Sequence, residues 1–374
     1  MKVSEFKKYT EALARYATTR EKANGPESLI GVQKRGDVLK LISGNSRAAM
    51  VVTVDEHKSD EGDYSFTIPA RKFLQTAKVL PARAEIEIRT SKNGISLHAQ
   101  GGGNIDVARG DLSLREAGFA RKPKSFRAEG QIDAKNLKRM SKLFKNISAK
   151  VEVPSVQIVK GTGYATAVAP GNRPMYANYR FPATSSNGPD DEYNMAGYRD
   201  FWEGLTHFSE DAVIKWGRDG ILVKSAYAEC YSAPYLVSRW DAEKQKADPP
   251  EEQVAWPIMV AIEQSDVAFT IERKTLTEAV KGQSAFDLEE SRITLEVNTD
   301  SVRVMPYGSS DGMDLQCKAT GKGIRSVRSD YLLTLLNAMD SKEVTLRWSG
   351  GVPAISISAE DYSSWTILLA PVAL

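Results

Sequence analysis

The sequence predicts an α+β fold built as three domains, each a duplicated helix–strand unit. Three observations predict it. The chain has 374 residues, and at roughly 100–200 residues per domain that length asks for two or three cores. A helix–strand–turn–strand unit recurs six times from end to end. Equivalent helix positions, Tyr9, Phe73, Leu137, Phe201, Leu276 and Leu332, follow one another at intervals of 64, 64, 64, 75 and 56 residues. The one long interval contains the charged, proline-containing stretch 241–252, which reads as an exposed linker. One unit offers a single helix and a few strands, too little to bury a core, so two units make one folding domain. The expected domains are 1–124, 125–254 and 255–374.

Each unit rests on the same signals, a 3.6-residue apolar period followed by short β-patterned runs around a turn. The first has a helix over 5–17, strands at 29–32 and 38–42, and a turn at Arg35-Gly36. In the second, the strand at 66–68 gives way to a helix ending near Leu80-Pro81, then strands at 84–88 and 95–97 around Asn93-Gly94. The third has a helix over 134–144, strands at 156–158 and 164–168, and a turn at 161–163. The fourth has a helix over 198–208 and strands at 213–216 and 221–223 around Asp219-Gly220. The fifth has a helix over 274–285 between a strand at 269–271 and strands at 293–297 and 302–304. The sixth has a helix over 329–339 and strands at 344–346 and 355–357 around Gly350-Gly351.

Composition excludes several classes. With 41% hydrophobic and 26% charged residues, the chain is neither disordered nor collagen-like. Its longest apolar runs, such as 365–373, fall well short of the ~20 residues of a membrane span. Residues 1–10 lack an apolar signal core, so the cytoplasm is the expected location. Cys230 and Cys317 are the only cysteines, which excludes a disulfide framework or a cysteine zinc site. Fifty Lys and Arg against 48 Asp and Glu give a formal net charge of +2. A nucleic-acid partner would therefore require the basic residues to gather on one surface.

The chain resembles the bacterial replicative sliding clamp family, the β subunits of DNA polymerase III. The segment Ile68-Pro69-Ala70-Arg71-Lys72-Phe73, continuing to Leu80-Pro81 and Ala84-Glu85-Ile86, is similar to the second helix and following strand of that family's first domain. Ser329-Asp330-Tyr331-Leu332-Leu333, with Leu336-Asn337-Ala338 and the strand at Val344, is similar to the last helix and strand of its third domain. The ending Leu368-Leu369-Ala370-Pro371-Val372-Ala373-Leu374 is similar to the family's apolar-Pro-apolar tail. The resemblance spans the full length. It implies the DNA clamp fold, with helices lining a ring and sheets outside, and two subunits joined head to tail by a heterologous interface that closes.

A helix facing DNA should carry Lys and Arg opposite its apolar stripe. The third helix does so best, with Lys135, Lys138, Arg139, Lys142 and Lys145 against Leu137, Met140 and Phe144. The second offers Arg71, Lys72 and Lys78. The first offers Lys7, Lys8 and Arg15, followed by Arg20, and the fifth offers Arg273, Lys274 and Lys281. In the fourth, Arg199 is offset by Asp200 and Glu203. Such phosphate contacts carry no base readout and weaken with salt, which suits sliding on double-stranded DNA.

The resemblance also implies a pocket where polymerases and other clients insert a short apolar peptide. Gly171, Asn172 and Arg173 stand in place of a family Gly-His-Arg loop, Trp256-Pro257 in place of an aromatic-Pro pair, and Ile262 near an apolar pocket position. Leu368, Leu369, Pro371 and Val372 would supply the other wall. Asn172 replaces the usual His, Pro174 follows the loop, and Ile258-Met259-Val260-Ala261 stands where the family has Asp-Tyr-Arg-Arg. The implied function is that of a non-enzymatic processivity factor opened by a clamp loader. The departures, with the near-neutral charge, also admit a divergent paralogue serving one repair, phage or plasmid partner, or competing with the host clamp.

No catalytic constellation competes with that reading. The three histidines, His57, His98 and His207, fall in separate units, so neither a metal site nor a Ser-His-Asp triad is expected. Gly101-Gly102-Gly103 reads as a turn, because no Lys-Ser/Thr follows it. Asp190-Asp191 and Glu289-Glu290 read as solvated loop charges. No cofactor is expected.

Overall fold

A computed structural model describes residues 7, 10, 13, 29–54, 62–80, 85–91, 93–100, 104–110, 112–147, 154–169, 175–234, 265–286, 291–352 and 354–372. Most of the first expected helix, the 241–252 linker and the 101–103 turn lie outside them. Five helices lie wholly within the described residues: α1 (Ala70–Val79), α2 (Ala134–Ile147), α3 (Arg199–Gly204), α4 (Arg273–Ser284) and α5 (Ser329–Ala338). Each occupies an expected place. The equivalent positions Phe73, Leu137, Phe201, Leu276 and Leu332 are all fully enclosed. α3 is shorter than expected, continuing only as the 3-10 turn Leu205–His207. Among the described residues, no helix is long and apolar enough to cross a membrane.

Local chemistry sets the helix ends. α1 stops at Leu80, whose extended φ −67°, ψ 139° is what a residue preceding a proline prefers. α2 starts at Asp133, whose Oδ1 accepts from the Asn136 backbone N–H at 2.8 Å, while Asp211 Oδ1 accepts from Ala134 N at 3.1 Å.

The repeat is richer in strand than helix–strand–strand. After each strand pair comes a third strand: Ala48–Val54, Asn104–Ala108, Met175–Ser185, Ala228–Ser232, Met313–Gln316 and Trp365–Leu369. Asn104–Ala108 (Asn-Ile-Asp-Val-Ala) is too polar to stand out by composition, yet Val107 is buried. The third turn is also shifted, because Lys160 and Gly161 take the positive φ values while Thr162 and Gly163 already belong to a strand.

The chain forms two compact units. The first comprises Met1–Ser141, Val156–Gly163 and Pro182–Tyr235. Its main sheet is antiparallel throughout, in the order Tyr64–Pro69, Leu29–Arg35, Val38–Gly44, Ala48–Val54, Ala228–Ser232, Gly220–Lys224, Ala212–Gly217, Ala128–Ile132. The decisive pairing sets Ala48 to Val52 against Ser232 to Ala228, so strands from the expected first and second domains share one sheet. The strands Ala212–Gly217 and Gly220–Lys224 meet with Gly217 opposite Gly220, which leaves a two-residue turn. Gly220 has φ +130°, and a Cβ there would come within 2.0 Å of the Ser232 carbonyl oxygen, so only glycine fits. A three-stranded sheet joins Ile86–Ser91, Gly94–Ala99 and Asn104–Ala108.

Asp191, expected to be a solvated loop charge, is instead held by Arg127 and Ser185. The hydrogen bonds from Arg127 outweigh burial and, with Ser185, keep its carboxyl below the usual carboxylate range. A lowered folded-state pKa contributes stability above the unfolded value of about 3.9, and that contribution is lost as pH falls. Asp191→Asn is therefore expected to cost about 1–3 kcal/mol at pH 7, with the gap from wild type narrowing below about pH 4. Urea melts at the two pH values measure it.

The second unit comprises Lys142–Ser155, Tyr164–Phe181 and Leu236–Leu374. One sheet runs Lys318–Thr320, Val267–Glu272, Glu343–Trp348, Ile355–Ser358, Trp365–Leu369, then the first part of Met175–Ser185. The other runs Met313–Gln316, Ser301–Pro306, Arg292–Val297, Gly323–Arg328. Alternation fills the core: Val267, Phe269 and Ile271 point in from one strand, Val344, Leu346 and Trp348 from its neighbour.

Candidate nucleic-acid and peptide interfaces

α2 separates its two faces cleanly. Leu137, Met140, Ser141, Leu143 and Phe144 are enclosed, while Lys135, Lys138, Lys142 and Lys145 are exposed. The four lysines follow a 3-4-3 spacing, which places them in one row about 15 Å long at 1.5 Å per residue. Arg139 does not belong to that row. It is only 3% exposed, against the expectation that it faces outward. At 100° per residue it lies toward Leu143, on the shoulder of the apolar face, so it packs inward.

On the other helices the basic residues divide between outward cations and cations that serve the fold. On α1, Arg71, Lys72 and Lys78 are exposed. Lys7 Nζ donates to the Lys78 carbonyl oxygen at 3.2 Å, so this lysine serves the helix C-terminus, where a cation is favoured. On α4, Lys274 and Lys281 are exposed, with Glu278 between them in helical spacing. Arg273 is a correction to the expected set of outward cations. Its Nε donates to Ser341 O at 2.9 Å and its guanidinium to Leu336 O at 3.1 Å, tying the start of α4 to the end of α5. Arg273→Ala is therefore expected to cost about 2 kcal/mol by orphaning two carbonyls, whereas Lys274→Ala should stay within about 0.5 kcal/mol. Paired denaturant curves discriminate the two. On α3, Arg199 pairs with Glu203 at 3.2 Å, as its offsetting charges imply. Lys8, Arg15 and Arg20 lie outside the described residues.

Of the expected peptide pocket, only the C-terminal wall is described; Gly171, Asn172, Arg173, Pro257 and Ile262 lie outside the described residues. Trp365–Leu369 pairs with Met175 to Tyr179 in the register Met175–Leu369, Tyr176–Leu368. Alternate residues Trp365, Ile367 and Leu369 form a core face. Leu369 is therefore fully enclosed and cannot line an open groove, which corrects its expected role. Leu368 is on the opposite face with Tyr176 and is 7% exposed. Beyond the strand, the Val372 N–H donates to Ser326 O at 2.8 Å, which pins the tail and leaves Pro371 and Val372 partly exposed. The described part of the expected wall is thus a nearly enclosed Leu368 beside a fixed tail, with Pro371 and Val372 as its accessible apolar residues.

No protein-family model matches the chain, and no curated protein matches it. Solved structures do. The DNA polymerase III β-subunit sliding clamp from Pseudomonas aeruginosa bound to griselimycin superposes with a TM-score of 0.71 at 16% identity, covering 100% of this chain and 98% of that one. The DNA polymerase III β subunit from Thermotoga maritima gives 0.71 at 11% identity, covering 99% and 98%. The DNA polymerase sliding clamp from Bacillus subtilis gives 0.70 at 14% identity, covering 100% and 98%. This chain has the fold of the DNA sliding clamps along its whole length.

Proposed function

We propose that this chain is a DNA sliding clamp, a processivity factor for DNA replication that encircles duplex DNA as a head-to-tail homodimer. The observation that supports it most is the lysine row of α2, set in a chain with the clamp fold from end to end. Four cations at helical spacing on an otherwise near-neutral protein suit contact with phosphates, which binds without reading sequence and so permits sliding. In this reading the chain holds three domains, 1–124, 125–254 and 255–374, and works in the cytoplasm as a tether rather than a catalyst. Topology holds the DNA. The wall at Leu368, Pro371 and Val372 receives peptides from a DNA polymerase and other clients, and a clamp loader opens the ring.

Retention on DNA tests the proposal. The protein, loaded onto nicked circular plasmid and passed through a sizing column, is expected to stay with the circle and to leave once the plasmid is linearised. Its sedimentation alone at micromolar concentration should report a dimer. A monomer that leaves circular and linear DNA equally fast would sink the reading.

A further inference from the structure

A buried polar row lies one step from the peptide wall, and its hydrogen bonding is incomplete. The Ala169 N–H donates to Met175 O at 2.9 Å, which fixes the register of the strands on either side of 170–174. Three residues further along, that register sets Thr166 opposite Asn178, and Asn178 is opposite Thr366 on the next strand. Thr166 and Asn178 are each 3% exposed. Asn178 Nδ2 donates to the Tyr176 hydroxyl at 2.9 Å, but Asn178 Oδ1 and Thr166 Oγ1 have no partner.

Orphaned groups of this kind are costly, and apolar residues of the same shape would remove the penalty. A carboxamide oxygen only accepts, and a hydroxyl can accept as well as donate, so one N–H or O–H donor would satisfy both groups. The row adjoins Tyr176 and Leu368, the pair on the same face at the peptide wall. We propose that Thr166 and Asn178 are specificity-determining residues of the client site, which accept a hydrogen bond from a donor side chain brought by the client peptide. Tyr176 and Leu368, both nearly enclosed, must yield for that side chain to reach Oδ1. The inference rests on the reading of this wall as a client site.

The probe is a fluorescent consensus clamp-binding peptide and a set of paired analogues that carry asparagine or the near-isosteric leucine at one position at a time. Wild-type protein is expected to prefer asparagine at one position by about tenfold or more. In the Thr166→Val/Asn178→Leu variant that preference should vanish while Tm does not fall. Asn178→Asp, which keeps the acceptor, should retain it and serves if the double variant does not fold. A preference that survives in the double variant, or paired peptides bound equally by wild type, overturns the proposal and leaves the client site standing. A trapped water as the only donor would give that second result. Failure of every peptide to bind wild type overturns the client site with it.

Discussion

Replacing Lys135, Lys138, Lys142 and Lys145 together with alanine is expected to weaken binding to short duplex DNA by about three orders of magnitude per protomer at ~0.1 M salt. Each phosphate contact contributes about 0.9 to the slope of log affinity against log salt, so the slope should become shallower by up to about 3.6. The substitutions are exposed and on a helix that favours alanine, so stability should change little. Fluorescence anisotropy over a salt series measures both the loss and the slope. Retention on a closed circle should persist in the same variant, because a linked ring does not depend on affinity. An unchanged slope would show that the α2 row does not meet the phosphates.

Trp365→Ala should have the largest effect on stability. The indole sits among Tyr179 at 5.0 Å, Tyr362 at 5.9 Å and Phe144 at 6.4 Å between ring centroids. Truncation empties the centre of that cluster and removes three aromatic pairs, at a cost of about 3–5 kcal/mol and roughly 10 °C in Tm. It should also release the strand that carries Leu368, so peptide binding falls with it. Thermal unfolding followed by circular dichroism reads the first effect, and peptide anisotropy the second. Trp365→Phe, which keeps most of the volume, should recover more than half of the loss.

Helices were legible because burial imposes a 3.6-residue period on sequence, and the five described positions aligned from the repeat are all enclosed. The third strand of each unit was less so. Asn104–Ala108 has one buried valine to announce it, and its place is fixed by a neighbour's ladder rather than by its own composition. Among the cations, residue type could not separate those that reach outward from those that serve the fold. Arg139 differs from Lys138 by one helical step, and Arg273 finds its acceptors 63 and 68 residues away in the chain. Such partners are tertiary facts. The tail misled in one respect for the same reason: Leu368 and Leu369 are alike in sequence, but the pleat sends them to opposite faces.

The pairing of Ala48 to Val52 with Ala228 to Ser232 has a consequence for how the first unit comes apart. An antiparallel ladder covered on both faces melts only when its neighbours on both sides melt. The strands that precede it and those that follow it are thus bound to a shared fate, so this unit is expected to unfold as one cooperative body. The repeat copies on the two sides of that ladder can be recognised separately in the sequence, yet their strands share one sheet and should be lost together.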